Sequence, residues 1–262
     1  MALEAWSSAE PYERFMGRWS RLMAAQVVTW LDPPTGLRWL DVGCGTGALS
    51  AAVLRAANPV SLVGVDPSAE YVGMARERQP DQRATYEVGD ATALNLPDAS
   101  VDRVVCGLVL NFVPDTAAAV EEMRRVLVPG GQLAVYVWDY GGGMQMLNRF
   151  WAAAIAEDPA ATELDEYVRF PLCRDGGLEQ FIAAARMDDM SAHSLDVPTV
   201  FLNFDDYWTP FLGGQGPGPG YLAALPDEAS ARLRDRLRAS LPTEPDGSIR
   251  LTARAFVVQA TR

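Results

Sequence analysis

Residues Trp39-Leu40-Asp41-Val42-Gly43-Cys44-Gly45-Thr46-Gly47 constrain the fold of this chain more than any other stretch. An apolar run stops at an acid and gives way to glycines at every second position. Ala48-Leu49-Ser50-Ala51-Ala52-Val53-Leu54 then follows at helical spacing. The pattern predicts a strand, a tight turn and a helix. Glycine in such a turn reaches positive φ and, having no Cβ, lets a ligand approach the backbone closely. The helix start adds free N–H groups and a partial positive charge. A nucleotide-like ligand is therefore expected across the turn.

Glycine spacing by itself also fits the relaxed dinucleotide pattern, as Gly43-x-Gly45-x-x-Ala48. Two acids narrow the reading. Asp41 ends the first predicted strand, where its carboxylate could face a cationic ligand group. Leu62-Val63-Gly64-Val65-Asp66 is a second apolar run ending in an acid. It lies about 20 residues on, where an α/β nucleotide site places its ribose-binding carboxylate.

Asp41 to Gly47 together with Val65-Asp66 resembles the class I S-adenosylmethionine (SAM) methyltransferases, and more closely their ubiquinone/menaquinone-biosynthesis-type small-molecule branch. The resemblance continues in Gly89-Asp90-Ala91, in the run from Val104 to Phe112, and in Arg125-Val126-Leu127-Val128-Pro129-Gly130-Gly131. It implies an α/β fold, Rossmann-like and doubly wound. The sheet would be seven-stranded and mostly parallel with an antiparallel last strand, and a helical insertion would cover the substrate. It also implies SAM as cofactor and S-adenosylhomocysteine as product. The methyl group would pass by in-line displacement to an O, N or C atom of a small acceptor. The cofactor residues carried over are Asp41, Gly43, Cys44, Gly45 and Gly47 on the glycine turn and Asp66 with Pro67 after the second strand. Asp90 and Ala91 would form an adenine clamp, and Gly107 and Leu108 would sit near the methionyl part. Tyr12 and Arg18 of the N-terminal segment would close over the cofactor, Arg18 as a partner for the methionyl carboxylate.

Bulk properties bound the remaining choices. At 262 residues the chain is long enough for one large α/β domain, and neither a repeat nor a linker divides residues 1–262. The net charge of −12 argues against a nucleic acid partner, because phosphate binding relies on Lys and Arg. No apolar run approaches the ~20 residues that span a bilayer. The first residues also lack the basic start and apolar core of a signal peptide. The expectation is a cytoplasmic protein, monomer or homodimer, without membrane insertion. Cys44, Cys106 and Cys173 show no metal spacing and His193 is the only histidine, so no metal site is expected.

Outside the motif region, residues 1–31 are expected to form a cap whose helix runs from Ser20 to Leu31. Two further segments, about 141–175 and 204–225, read as lids. The first follows the glycine run Gly141-Gly142-Gly143 and is rich in Met, Phe and Trp. Gly213 to Gly220 reads as a flexible loop, unable to pack as helix or strand. Asp139 and Tyr140 should lie at the carboxyl end of the fifth strand, where α/β folds keep their ligand crevice. They are candidate catalytic residues, with His193 as a further candidate base. Asn111, Phe112, Trp138, Trp151, Tyr207 and Trp208 are candidates for the acceptor pocket, and their character points to an apolar or aromatic acceptor. Two alternatives stay open. One is a SAM-binding protein of the same fold with non-methylating chemistry. The other is an NAD-type oxidoreductase, against which the strict Asp-x-Gly-x-Gly-x-Gly form and Gly89-Asp90-Ala91 both argue.

Overall fold

The computed structural model describes residues 9–214 and 216–262. The start of the expected cap and Gln215 lie outside that range. The chain enters through a short helix α1 (Ala9–Tyr12) and a single wide π turn, Glu13–Gly17, and continues as α2 (Arg18–Leu31). Then follow β1 (Arg38–Val42), α3 (Ala48–Ala56), β2 (Ser61–Asp66), α4 (Ala69–Arg78), β3 (Ala84–Val88) and β4 (Val101–Gly107). The second half contributes α5 (Thr116–Val126), β5 (Leu127–Trp138), α6 (Gln145–Glu157), α7 (Glu166–Arg169) and α8 (Gly177–Ala183). It ends with β6 (Asp188–Phe201), α9 (Phe204–Trp208), α10 (Pro217–Ala224), α11 (Asp227–Ser240) and β7 (Ile249–Thr261).

The seven strands form one sheet in the order β3-β2-β1-β4-β5-β7-β6. β1 pairs in parallel with β2 and β4, and only β7 runs against its neighbours. The central strands are buried on both faces: Trp39, Leu40 and Val42 of β1 are 1% exposed or less. That explains their continuous apolar run rather than alternation. Strand order reverses between β1 and β4, so a crevice opens at their carboxyl ends.

Local chemistry sets the helix starts. Ser68 caps α4 by accepting from the Tyr71 N–H at 3.3 Å, and Asp115 caps α5 by accepting from Ala118 N–H at 3.0 Å. The expected loop at 213–220 is instead partly helix α10, with Pro217, Gly218 and Pro219 buried. Its prolines fall in the first turn, where backbone N–H groups have no intrahelical partner, so they cost the helix nothing there. Gly218 packs against the Phe150 and Phe211 rings, which stand at ordinary contact distance (3.4–3.5 Å) from where a Cβ would be.

Within the segment 141–175, helix α6 packs one face into the core. Met146, Phe150 and Trp151 of α6 are buried, and Phe150 stacks on Phe211 with ring centroids 4.5 Å apart. This aromatic layer joins the two segments expected as lids. Among the described residues, no helix is long and apolar enough to cross a membrane.

Candidate functional site

A cavity of about 420 Å³ opens at the carboxyl ends of β1, β2 and β4. At one end lies the glycine turn. Gly43 and Cys44 both donate backbone N–H bonds to the Val65 carbonyl, at 2.7 and 3.1 Å, which ties the turn to β2. Gly43, Gly45 and Gly47 have φ of +72°, +52° and +87°. A Cβ on Gly43 would stand 2.4 Å from Val109 Cγ1, whereas one on Gly45 would meet only open space. The first glycine is therefore needed for close packing and positive φ, and the second leaves the backbone bare toward the cavity.

Asp66 faces the same space. Its two carboxylate oxygens each accept one backbone N–H, from Gly45 and from Ser68, both at 2.9 Å. Burial pushes its carboxyl upward while those two N–H groups hold it down. Each oxygen keeps a lone pair for a further donor. Asp90 and Ala91 follow β3 on the adjoining wall. The Asp90 Oδ1 accepts from both the N–H and the hydroxyl of Thr92, at 2.8 Å, which shapes the turn and lowers its pKa. Leu108 sits at φ +63°, an uncommon backbone state for leucine, and its N–H bonds the Tyr136 carbonyl at 2.8 Å.

The N-terminal segment closes one side. Tyr12, Phe15 and Met16 line the cavity from the π turn and the residue before it. The Tyr12 ring leans on Tyr71 at 5.8 Å, and its hydroxyl shares a hydrogen bond with Ser20 at 3.1 Å. Glu13 fastens the segment down through Thr46 of the glycine turn, Arg21 and Arg78. The end toward β4 and β5 is mainly aromatic and apolar, lined by Phe112, Trp138, Tyr140, Leu147 and Pro217 together with Glu166.

Residues 40–135 match the family model of a methyltransferase domain. The chain belongs to the class I SAM-dependent methyltransferases. It is 31% identical over 187 residues to the 2-methyl-6-phytyl-1,4-hydroquinone methyltransferase of Synechocystis, a match covering 70% of this chain and 57% of that protein. The chain spans about half the length of the curated relatives it matches. Its fold is also similar to phosphoethanolamine N-methyltransferase 2 of Haemonchus contortus, solved with S-adenosylhomocysteine. The TM-score is 0.59 at 19% identity, covering 96% of this chain and 56% of that one. The cyclase SpnF shares the fold at TM-score 0.55 and 20% identity, with 92% and 80% covered.

Within this fold, the motif residues converge as a group. Gly43, Gly45, Asp66, Pro67, Asp90, Ala91, Gly107, Leu108 and Tyr12 all line the cavity, as do Phe112, Trp138 and Tyr140. Others lie behind that surface. Asp41 is 1% exposed and turned into α3, where its Oδ2 accepts from the Ser50 hydroxyl at 2.7 Å. Burial pushes its carboxyl up to about 7, and from behind the wall it does not face the ligand as expected. Cys44 is buried, and Gly47 serves as the left-handed residue that starts α3.

Several expectations are corrected by partners distant in sequence. Arg18 does not reach into the cavity. Its guanidinium pairs with both oxygens of Asp206, at 3.1 and 3.2 Å, and lies over the rings of Trp19 and Phe201. Asp139 is not a cavity residue either. Its Oδ1 accepts the Gly141 N–H at 2.8 Å and so folds the glycine turn after β5. His193 stands exposed on the edge strand β6, stacked against Trp30 at 6.1 Å. Asn111 does not line the cavity. Trp151, Tyr207 and Trp208 form the layer beneath the wall. The Trp151 indole N–H donates to Glu166, the Tyr207 hydroxyl donates to the Met146 carbonyl at 2.9 Å, and Trp208 stacks on Phe204.

Sequence reasoning missed Phe15, Met16, Ser68, Tyr71, Val109, Val113, Leu147, Glu166 and Pro217, all of which line the cavity. Ser68 and Tyr71 had a readable signal: an N-cap directly after the ribose-type acid places the residue three positions on over the same strand end. Glu166 had none, since it opens a helix of four residues inside a segment without a motif.

Proposed function

We propose that this protein transfers the methyl group of SAM to a small apolar or aromatic acceptor. One observation carries the reading. A single cavity joins the glycine turn and Asp66 at one end to a wall of Phe112, Trp138 and Tyr140 at the other. Its volume is within the range of pockets that bury a ligand of this size. The residues present fit the cofactor. Asp66 has acceptor capacity for a ribose diol, and Gly45 leaves the backbone open. Val65, Ala91 and Leu108 offer apolar contact for an adenine, and Asp90 stands beside them with a lowered pKa, ionised at neutral pH.

When bound, SAM supplies an electrophilic methyl on a sulfonium centre. The chain's own task is then to hold an acceptor at attack distance and keep water away. Tyr12, Phe15 and Met16 cover the cofactor end, with Glu13 as their fastening. Trp138, Tyr140 and Leu147 give the acceptor an apolar bed. Burial beside Cys173 and Glu166 keeps the Tyr140 phenol protonated, so it acts as a hydrogen-bond donor.

Calorimetric titration with SAM, S-adenosylhomocysteine and NAD tests the reading. Binding of the first two and not the third is expected. Asp66→Ala should weaken SAM by roughly 1.5–3 kcal/mol, as for a hydrogen bond to a charged group. NAD binding, or an unchanged SAM affinity in Asp66→Ala, would refute the assignment of this end of the cavity. Tight SAM binding with no methylated product by mass spectrometry across small aromatic acceptors would leave the cofactor site standing and refute the transfer.

A further inference from the structure

Glu166 is the only acid at the acceptor end of the cavity among the described residues. It opens α7, is 2% exposed, and no Arg among the described residues forms an ion pair with it. Its Oε2 accepts from the indole N–H of Trp151, itself 1% exposed, so one oxygen is fixed against the core. The backbone N–H of Glu166 itself also bonds the carboxyl, and no second side chain among the described residues does so, which leaves lone pairs on the carboxyl for a further donor. A carboxyl set in an apolar wall costs stability unless its remaining capacity is met, and the space beside this one is the cavity. Burial pushes the carboxyl up to about 8, so through neutral pH it carries an O–H to donate as well as oxygens to accept. The neighbouring rings suit a planar body: Phe112 packs edge-on against Phe170 at 5.0 Å, and Tyr140 leans on the same Phe170 at 6.2 Å.

We propose that Glu166 selects the acceptor by hydrogen bonding a hydroxyl on its aromatic body, with Trp151 holding the carboxyl in position. This rests on the reading that an acceptor occupies that end of the cavity. A hydroxyl both donates and accepts, as the carboxyl does. A methyl ether can only accept, so it meets one of the two bonds at most, and an aryl amine donates but accepts poorly because its lone pair is delocalised into the ring. Glu166 is thus a specificity-determining residue in direct contact with the acceptor, on an element separate from the glycine turn and the ribose carboxylate.

The test measures binding of 1-naphthol, 1-methoxynaphthalene and 1-naphthylamine to the full chain in excess S-adenosylhomocysteine. Binding of 1-naphthol is expected to be roughly five- to tenfold tighter than that of the ether, the size of one buried neutral hydrogen bond. Glu166→Gln, which still donates and accepts, should keep most of that preference. The double variant Glu166→Leu with Trp151→Phe avoids stranding the indole N–H. It should lose the preference and keep its affinity for S-adenosylhomocysteine. The proposal is overturned if naphthol has no advantage, if the amine binds best, if none of the three binds, or if the preference survives in the double variant. Where the double variant does not fold, Glu166→Leu alone carries the same test, and a preference that survives in it overturns the proposal. A chain that ranks the three as expected yet does not bind S-adenosylhomocysteine would instead overturn the methyl-transfer reading.

Discussion

Asp41→Asn gives a stability change whose sign depends on pH. The Asp41 side chain is fully enclosed beneath the glycine turn, with Oδ2 bonded to Ser50 and Oδ1 without a partner. Burial raises its carboxyl from 3.8 in the open chain to about 7, with the charge of Asp66 adding to the rise. A raised acid is neutral in the fold while the unfolded chain has already ionised. Its contribution to stability is therefore complete below about pH 3.8 and is lost as pH climbs through about 7. Between pH 5.5 and pH 7 the folded state still holds a proton that the unfolded state has released, a difference of roughly 2 kcal/mol. Asparagine cannot ionise, so whatever it costs in fit is the same at every pH. Urea unfolding followed by circular dichroism, without SAM, should show wild type losing about 2 kcal/mol relative to Asp41→Asn between pH 5.5 and pH 8.5. Parallel pH dependences in the two proteins would refute the argument and mean that Asp41 ionises in the fold at its ordinary pKa.

Two other substitutions separate the turn from the layer beneath the wall. Gly43→Ala places a Cβ against Val109 at positive φ and should cost about 1–3 kcal/mol in chemical denaturation while weakening SAM. Val109→Ala added to it should recover part of the stability, and full wild-type stability in Gly43→Ala alone would contradict the packing. Tyr207→Phe removes the donor to the Met146 carbonyl and should cost about 1–2 kcal/mol of stability with SAM affinity unchanged by calorimetry. A loss of SAM affinity there would place Tyr207 in the site.

The cofactor end was legible in the sequence because its determinants are local. The strand, the turn and the helix start at 39–54 are contiguous, and the strand periodicity then places Asp66, Asp90 and Gly107 at neighbouring strand ends. Those residues meet in one cavity because parallel strands bring their carboxyl ends to one edge of the sheet. The acceptor end was not legible in the same way. Glu166, Leu147 and Pro217 come from three different helices, and only packing brings them together. Arg18 shows the same limit. A cation near the cofactor invited an anionic ligand, but the chain supplies Asp206 from 188 positions away. Asp139 was placed at the correct strand end, yet its carboxyl serves the Gly141 turn. The prolines at 217 and 219 read as helix breakers because their position in a first turn is set by the burial of the segment, not by its own composition.

The wide turn at Glu13–Gly17 amounts to one residue more than a regular helix would hold between α1 and α2. In a helix each residue advances the azimuth by roughly 100°, so that extra residue sets which way the preceding turn faces. It points Tyr12 toward Tyr71 and the cavity while leaving α2 in register with the sheet. Closure over the cofactor is thus a matter of phase as well as composition. Shortening the turn by a single residue would swing Tyr12 off the cavity and away from Ser20, while the apolar face of α2 keeps its packing. The length of the turn thus sets where Tyr12 points, while Glu13 within it ties the segment to Thr46 and Arg78 of the domain beneath.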